Sequence, residues 1–143
     1  METDTEMLQA FAEEVAGIKA KLKPITENIR TQYNQPKLYE QFGQTIDGIY
    51  GTAATLGFKE VAEYCRMMKA VTYKCSQSNN MYAMGQVKDM CMVAMAMLDK
   101  FADIIMKPEE TKKFLYQMQK QRERAEEISK KLFGTISRTT TAA

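Results

Sequence analysis

The sequence predicts an all-α protein folded as an antiparallel helical bundle, and three observations carry that expectation. Only 3 Pro and 7 Gly occur in 143 residues, too few for the many turns of an all-β chain. Apolar residues recur three and four positions apart in five successive segments, the period that lines one face of a helix. Short breaks rich in Pro, Gly, Ser or Asn separate the segments, which suits helices packed beside their chain neighbours. The length fits one domain with a sizeable core, and no internal repeat divides it.

The first helix opens with Thr3 and Glu6, the spacing of a capping box, and carries Leu8, Phe11, Val15, Ile18, Leu22, Ile25 and Ile29 on one stripe. The stripe keeps its phase across Pro24, so one kinked helix is expected rather than two. The pattern breaks at Tyr33-Asn34-Gln35, and Pro36 suits the first turn of a second helix. That helix carries Tyr39, Phe42, Ile46, Ile49, Ala53 and Leu56, with Leu38 beside the start of the stripe and Gly57 as its C-cap. The third carries Val61, Cys65, Met68, Thr72 and Cys75 and ends in the polar run from Ser76 to Asn80. The fourth carries Met84, Val87, Cys91, Ala94, Leu98, Phe101 and Ile105 and stops at Lys107-Pro108. The fifth, about 108–133, begins with Glu109 and Glu110, which complement a helix N-terminus. Its middle, Gln119 to Glu127, is polar almost all round, so partial contact with the bundle is expected. Residues 1–133 would form the bundle, and 134–143, small and polar, a disordered tail.

Composition excludes more than it names. There is no His, hence no imidazole ligand, no His general base and no phosphohistidine. The net charge of +2 points to neither nucleic acid nor membrane as partner. No run reaches the ~18 apolar residues of a membrane span. The acidic start METDTEM lacks a signal-peptide core. The three Cys, at 65, 75 and 91, fall on expected core stripes without a CxxC pair, which reads as reduced, buried thiols in a cytoplasmic protein. The chain also has 12 Met, several of them in Met90-Cys91-Met92-Val93-Ala94-Met95-Ala96-Met97. Gap filling in a core or a partner-facing Met surface explains them better than a copper(I) site. No metal or cofactor is expected. The mixed charges of Lys120 to Glu127 read as a solvated face with pairs one turn apart.

The second helix holds the feature that asks for an explanation. Asp47-Gly48-Ile49-Tyr50-Gly51 places two Gly inside a helix, each costing about 1 kcal/mol relative to Ala. The face opposite the core stripe reads Glu40, Gly43, Gln44, Asp47, Tyr50, Gly51 and Ala54. Small residues beside one carboxylate and one ring allow another backbone to approach closely. That approach could be a partner's or a neighbouring helix's within the bundle, and the pattern fits both equally.

The segment Ile46-Asp47-Gly48-Ile49-Tyr50-Gly51-Thr52-Ala53-Ala54-Thr55-Leu56-Gly57-Phe58 resembles the signature helix of histidine phosphotransfer (HPt) domains: His-x-x-Lys-Gly, small residues, then a hydrophobic residue and Gly. The resemblance continues through Glu60 to Met68 and covers roughly residues 5–106, nearest the phosphotransfer domain of chemotaxis-type histidine kinases. It is strong at Gly51, Ala53, Leu56, Gly57 and Phe58 and weak elsewhere. It implies an antiparallel four-helix bundle of HPt type, with the segment about 108–133 as an additional C-terminal helix. The family's phosphorylated His falls on Asp47 and its Lys on Tyr50, while the supporting His and Glu of the next helix fall on Arg66 and Lys69. The relay chemistry is thereby deleted. A carboxylate would form an acyl phosphate, which receiver domains manage only with Mg²⁺ and an acidic cluster, and Asp47 has no such cluster in the sequence around it. An ion pair of Asp47 with Arg66 or Lys69 is expected instead.

The resemblance therefore implies a non-catalytic adaptor in a bacterial two-component or chemotaxis-like system. Its partner-binding face would be Glu40, Gln44, Asp47, Tyr50, Gly51, Ala54, Arg66 and Lys69, and its partner a response-regulator receiver domain. This expectation requires Asp47, Tyr50 and Gly51 to be exposed together. The alternative is an assembly protein that uses the Met-rich fourth or charged fifth helix as an interface. The sequence leaves the oligomeric state open.

Overall fold

A computed structural model describes the backbone of residues 2–142 and the side chains of residues 4–134. All regular structure among the described residues is helical: α1 (Glu2–Thr31), α2 (Pro36–Ile46), a 3₁₀ turn (Asp47–Ile49), α3 (Tyr50–Thr55), α4 (Lys59–Ser76), α5 (Met81–Ile104) and α6 (Pro108–Ala142). The molecule is a helical bundle. Helix α1 packs on α2 and α5, α4 packs on α2, α3 and α5, and α6 lies against α4 and α5. No helix among the described residues is long and apolar enough to cross a membrane.

Helix α1 runs without interruption through Pro24. Pro24 is exposed, on the side where a lost backbone hydrogen bond can be replaced by water. The capping box expected of Thr3 involves a side chain outside the described residues. Pro36 opens α2. Asn80 caps α5, its side chain accepting a hydrogen bond from the Ala83 amide at 3.1 Å.

The expected second helix is not uniform. It tightens into the 3₁₀ turn at Asp47-Gly48-Ile49 and resumes as α3. Its end follows the expectation, since Gly57 adopts φ +87°, a conformation that strains any residue with a Cβ. The Phe58 amide then donates to the Ala53 carbonyl at 2.8 Å and the Gly57 amide to that of Ala54 at 3.3 Å, the two bonds of a Schellman cap. The cap delivers Phe58 against Phe11 of α1, ring centroids 5.5 Å apart and stacked. It also meets Phe101 of α5 edge-on at 5.5 Å. Three segments far apart in sequence meet in this aromatic cluster.

The stripes of α4 and α5 are buried at every expected position. Tyr64, Met67 and Val71 of α4 are buried as well, because α6 covers a second side of that helix. The contact of α6 with the bundle is partial, as expected, but it runs along the helix on one side. Thr111, Phe114, Met118, Ala125, Ser129 and Phe133 are all buried, one seam of period three and four. Arg122 occupies the same seam, its guanidinium held by Glu126 at 2.8 Å and by Glu63 of α4 at 3.5 Å. The polar middle of α6 is thus not wholly solvated: the seam is carried through it by one inward arginine and one alanine. The backbone of the helix runs on to Ala142, and the side chains from 135 onward, in the segment expected as a tail, lie outside the described residues. Gly134 costs a helix only about 1 kcal/mol, and no Pro follows it to force a stop. Ala143 lies outside the described residues.

All three cysteines are free and buried. Burial pushes the thiols of Cys65 and Cys75 up to about 12, the nearby Asp47 charge adding to the effect at Cys65. It holds Cys91 well above its ordinary value. Thiols kept protonated in this way are poor nucleophiles.

Candidate protein-docking face

The face expected from the glycine helix is built by α2, the 3₁₀ turn, α3 and the outward side of α4. Asp47 opens the 3₁₀ turn at the end of α2. Its carboxylate accepts a hydrogen bond from Lys69 Nζ at 3.1 Å, the inter-helix pair expected from the sequence. Asp47 is 27% exposed and Lys69 52%, so the pair contributes about 0–1 kcal/mol. Arg66 does not join it. Its guanidinium lies over the Tyr50 ring, 3.9 Å from the centroid, a stacking worth about 0.5–1 kcal/mol at an exposed site. Two cross-links therefore join the glycine segment to α4, one ionic and one cation–π.

Between α2 and α4 lies an open groove of about 470 Å³, lined in part by Glu40, Gln44, Arg66, Lys69, Ala70 and Tyr73. Gln44 donates to Glu40 at 3.3 Å along its rim. Four of the eight expected residues (Glu40, Gln44, Arg66 and Lys69) thus line one groove, and Asp47 and Tyr50 are tied to it through Lys69 and Arg66. The other two point elsewhere. Gly51 lines a separate groove of about 500 Å³ against α1, with Met7, Ala10, Glu14, Gly48 and Thr52. Ala54 is exposed and lines neither groove. Asp47 and Tyr50 are half-buried while Gly51 is open, so the three do not form one uniformly bare surface.

Gly43, read from the sequence as part of the outer face, is instead buried. A Cβ there would lie 2.2 Å from Thr72 Oγ1 and 3.2 Å from the Lys69 Cα. It is the glycine that lets α2 and α4 approach. Gly51 has nothing within 4 Å of an added Cβ. Gly43 takes the internal-packing alternative left open by the sequence, whereas Gly51 faces open space. Opposite effects follow. Gly43→Ala should cost about 1–3 kcal/mol by overpacking, whereas Gly51→Ala should stabilise by about 0.5–1 kcal/mol. Urea denaturation of both variants checks this, and shifts of the same sign would contradict the geometry.

Sequence reasoning overlooked Tyr73 and Ala70. Both are exposed on α4, and Tyr73, 57% exposed, is an aromatic off the stripe of Val61, Cys65, Met68 and Thr72. That displacement from the stripe was the available signal.

Asp47→Asn should change stability by less than about 1 kcal/mol, and the double variant with Lys69→Met should show a coupling of the same small size. A coupling above about 2 kcal/mol in denaturation experiments would mean that the pair is buried more deeply than its exposure indicates.

No protein-family model, curated protein or solved structure matches this chain.

Proposed function

We propose that the protein is a non-catalytic docking module of HPt type. In this reading α1, α2–α3, α4 and α5 form the antiparallel four-helix arrangement, α6 is added to it, and the face around Asp47 binds a receiver domain in a bacterial, cytoplasmic signalling system without taking its phosphoryl group. The observation that carries the reading is the open groove between α2 and α4, lined by Glu40, Gln44, Arg66 and Lys69. Its lining includes four of the eight residues of the face that the resemblance assigns to a partner. With no His in the chain, a phosphohistidine relay cannot operate. Asp47, engaged by Lys69, acts in this reading as a recognition and shape-setting group.

Assembly through the fifth expected helix is the weaker reading, because the apolar seam of α6 is already covered by α4 and α5 of the same chain.

The test is affinity capture from the native host's lysate with three baits: the wild type, Gly51→Arg and Gln44→Arg. Gly51 has open space and Gln44 is exposed, so both variants should keep the wild-type circular dichroism spectrum. A receiver-containing protein retained by the wild type and lost with either variant supports the proposal. Retention by both variants, or no receiver-containing protein at all, overturns it.

A further inference from the structure

The carboxyl-terminal half of α4 is a basic ridge between two grooves. Residues 66–76 include Arg66, Lys69 and Lys74 and no acidic residue. On one side lies the groove against α2; on the other, one of about 450 Å³ against α6 is lined by Arg66, Ala70, Lys74 and Lys130 among others. Arg66 and Ala70 line both grooves, so they form the crest between them, with Tyr73 projecting 57% exposed one turn further on.

The ion pairing around this ridge leaves an uncompensated charge. Of the nearby carboxylates, Glu63 and Glu126, both lining the α6-side groove, share the one guanidinium of Arg122, Asp47 meets Lys69, and Glu40 keeps its charge beside the neutral Gln44 amide, so the cations here outnumber the carboxylates by one. Arg66, Lys74 and Lys130 have no carboxylate within ion-pair distance among the described residues. An arginine stacked on a ring, two free lysines, a small alanine crest and an exposed tyrosine make a surface with charged steering groups around an amphipathic anchor. Tyr and Arg are the residue types that dominate protein–protein contacts, and unpaired charges of one sign select a partner of the other. The net charge of only +2 over the whole chain gives little long-range attraction for a polyanion such as nucleic acid.

We infer that this ridge of α4 docks an acidic segment of a protein partner, its carboxylates meeting Arg66, Lys74 and Lys130 and its apolar side resting on Ala70 and Tyr73. The inference deepens the docking-module reading and rests on it, but it does not require the partner to be a receiver domain.

The experiment is an amide-resolved NMR titration of the full chain with a short amphipathic acidic peptide of alternating Glu and Leu at low salt. Shift changes should concentrate at Arg66, Ala70, Tyr73 and Lys74. Affinity should fall at least about tenfold in Arg66→Glu/Lys74→Glu, as expected when two facing charges turn repulsive. The milder Arg66→Ala/Lys74→Ala, also measured, should weaken binding in the same direction and covers the case in which charge reversal perturbs folding. Equal changes at Lys21, Lys23 and Lys112, or affinity unchanged in the folded variants, would overturn the inference. Tighter binding of a single-stranded oligodeoxynucleotide to the same ridge would overturn it too, in favour of a nucleic-acid surface. Lys21→Glu, at an exposed position of α1 outside both grooves, should leave this titration unaltered. Failure to capture a receiver together with a localised titration would remove the receiver and keep the acidic-partner surface; the converse pair of results would do the reverse.

Discussion

Raising the pH above about 8.5 should destabilise this protein by about 4 kcal/mol per pH unit, through its three buried thiols. Cys65, Cys75 and Cys91 are each fully buried, and burial raises the first two to about 12 and the third well above its ordinary value. In the unfolded chain the same thiols ionise near 8.5. Below that pH both states keep their protons and the full stability is present. Above it the unfolded chain releases protons that the folded chain retains, so stability falls as the pH rises through the window up to the folded values. Each thiol contributes a slope of about 1.4 kcal/mol per pH unit. Against a typical total of about 5–15 kcal/mol, that slope removes a large share of the stability by about pH 11. The buried hydroxyls of Tyr39 and Tyr64 are raised by burial as well and would steepen the last part of the loss. Urea midpoints between pH 7 and 10.5 are the measurement. A midpoint flat to pH 10.5 would contradict the burial of the thiols, and Cys91→Ala should remove about a third of the slope.

The second large effect is expected at Phe101. It is fully buried, 6.0 Å from Phe11 and 5.5 Å from Phe58 between ring centroids, edge-on to both. Phe101→Ala removes the ring at the junction of α1, α5 and the turn behind Gly57. The lost burial and the cavity together should cost about 3–5 kcal/mol, or roughly 10–15 °C in Tm for a chain of this length. Because Phe58 follows directly on the Schellman cap, the loss should also loosen the end of α3. Hydrogen exchange at the Gly57 and Phe58 amides should therefore accelerate by more than at the Ala83 amide beside Asn80. A Tm drop under about 3 °C would mean that the cluster does not carry the packing assigned to it.

Much of this architecture is legible in the chain because helices write their buried side at a fixed period. Val61, Cys65, Met68, Thr72 and Cys75 could be assigned to the core of α4 from spacing alone, and all are buried. Gly57 could be assigned to a helix end because only glycine adopts its positive φ without strain. Arg122 shows where this reading stops. Its charge argued for solvent, yet it lies in the α6 seam, since Glu63 and Glu126 are within reach of its guanidinium. Ion pairing across helices has no signature along the chain.

The glycines mark the same boundary. The sequence by itself determined that the chain is helical, where most helices begin and end, and that a protein without His cannot run imidazole chemistry. The resemblance to the HPt helix, rather than any spacing, put Asp47, Arg66 and Lys69 together as one candidate cluster. Only the tertiary structure decided that Lys69 rather than Arg66 meets Asp47, that Arg66 turns to Tyr50, and that Gly43 is pressed against α4 while Gly51 is open. The physical reason is that a glycine's role depends on what stands opposite it. The neighbour of Gly43 is Thr72, on another helix and 29 positions away by number, so its distance is set by how two helices pack and by nothing in the local repeat.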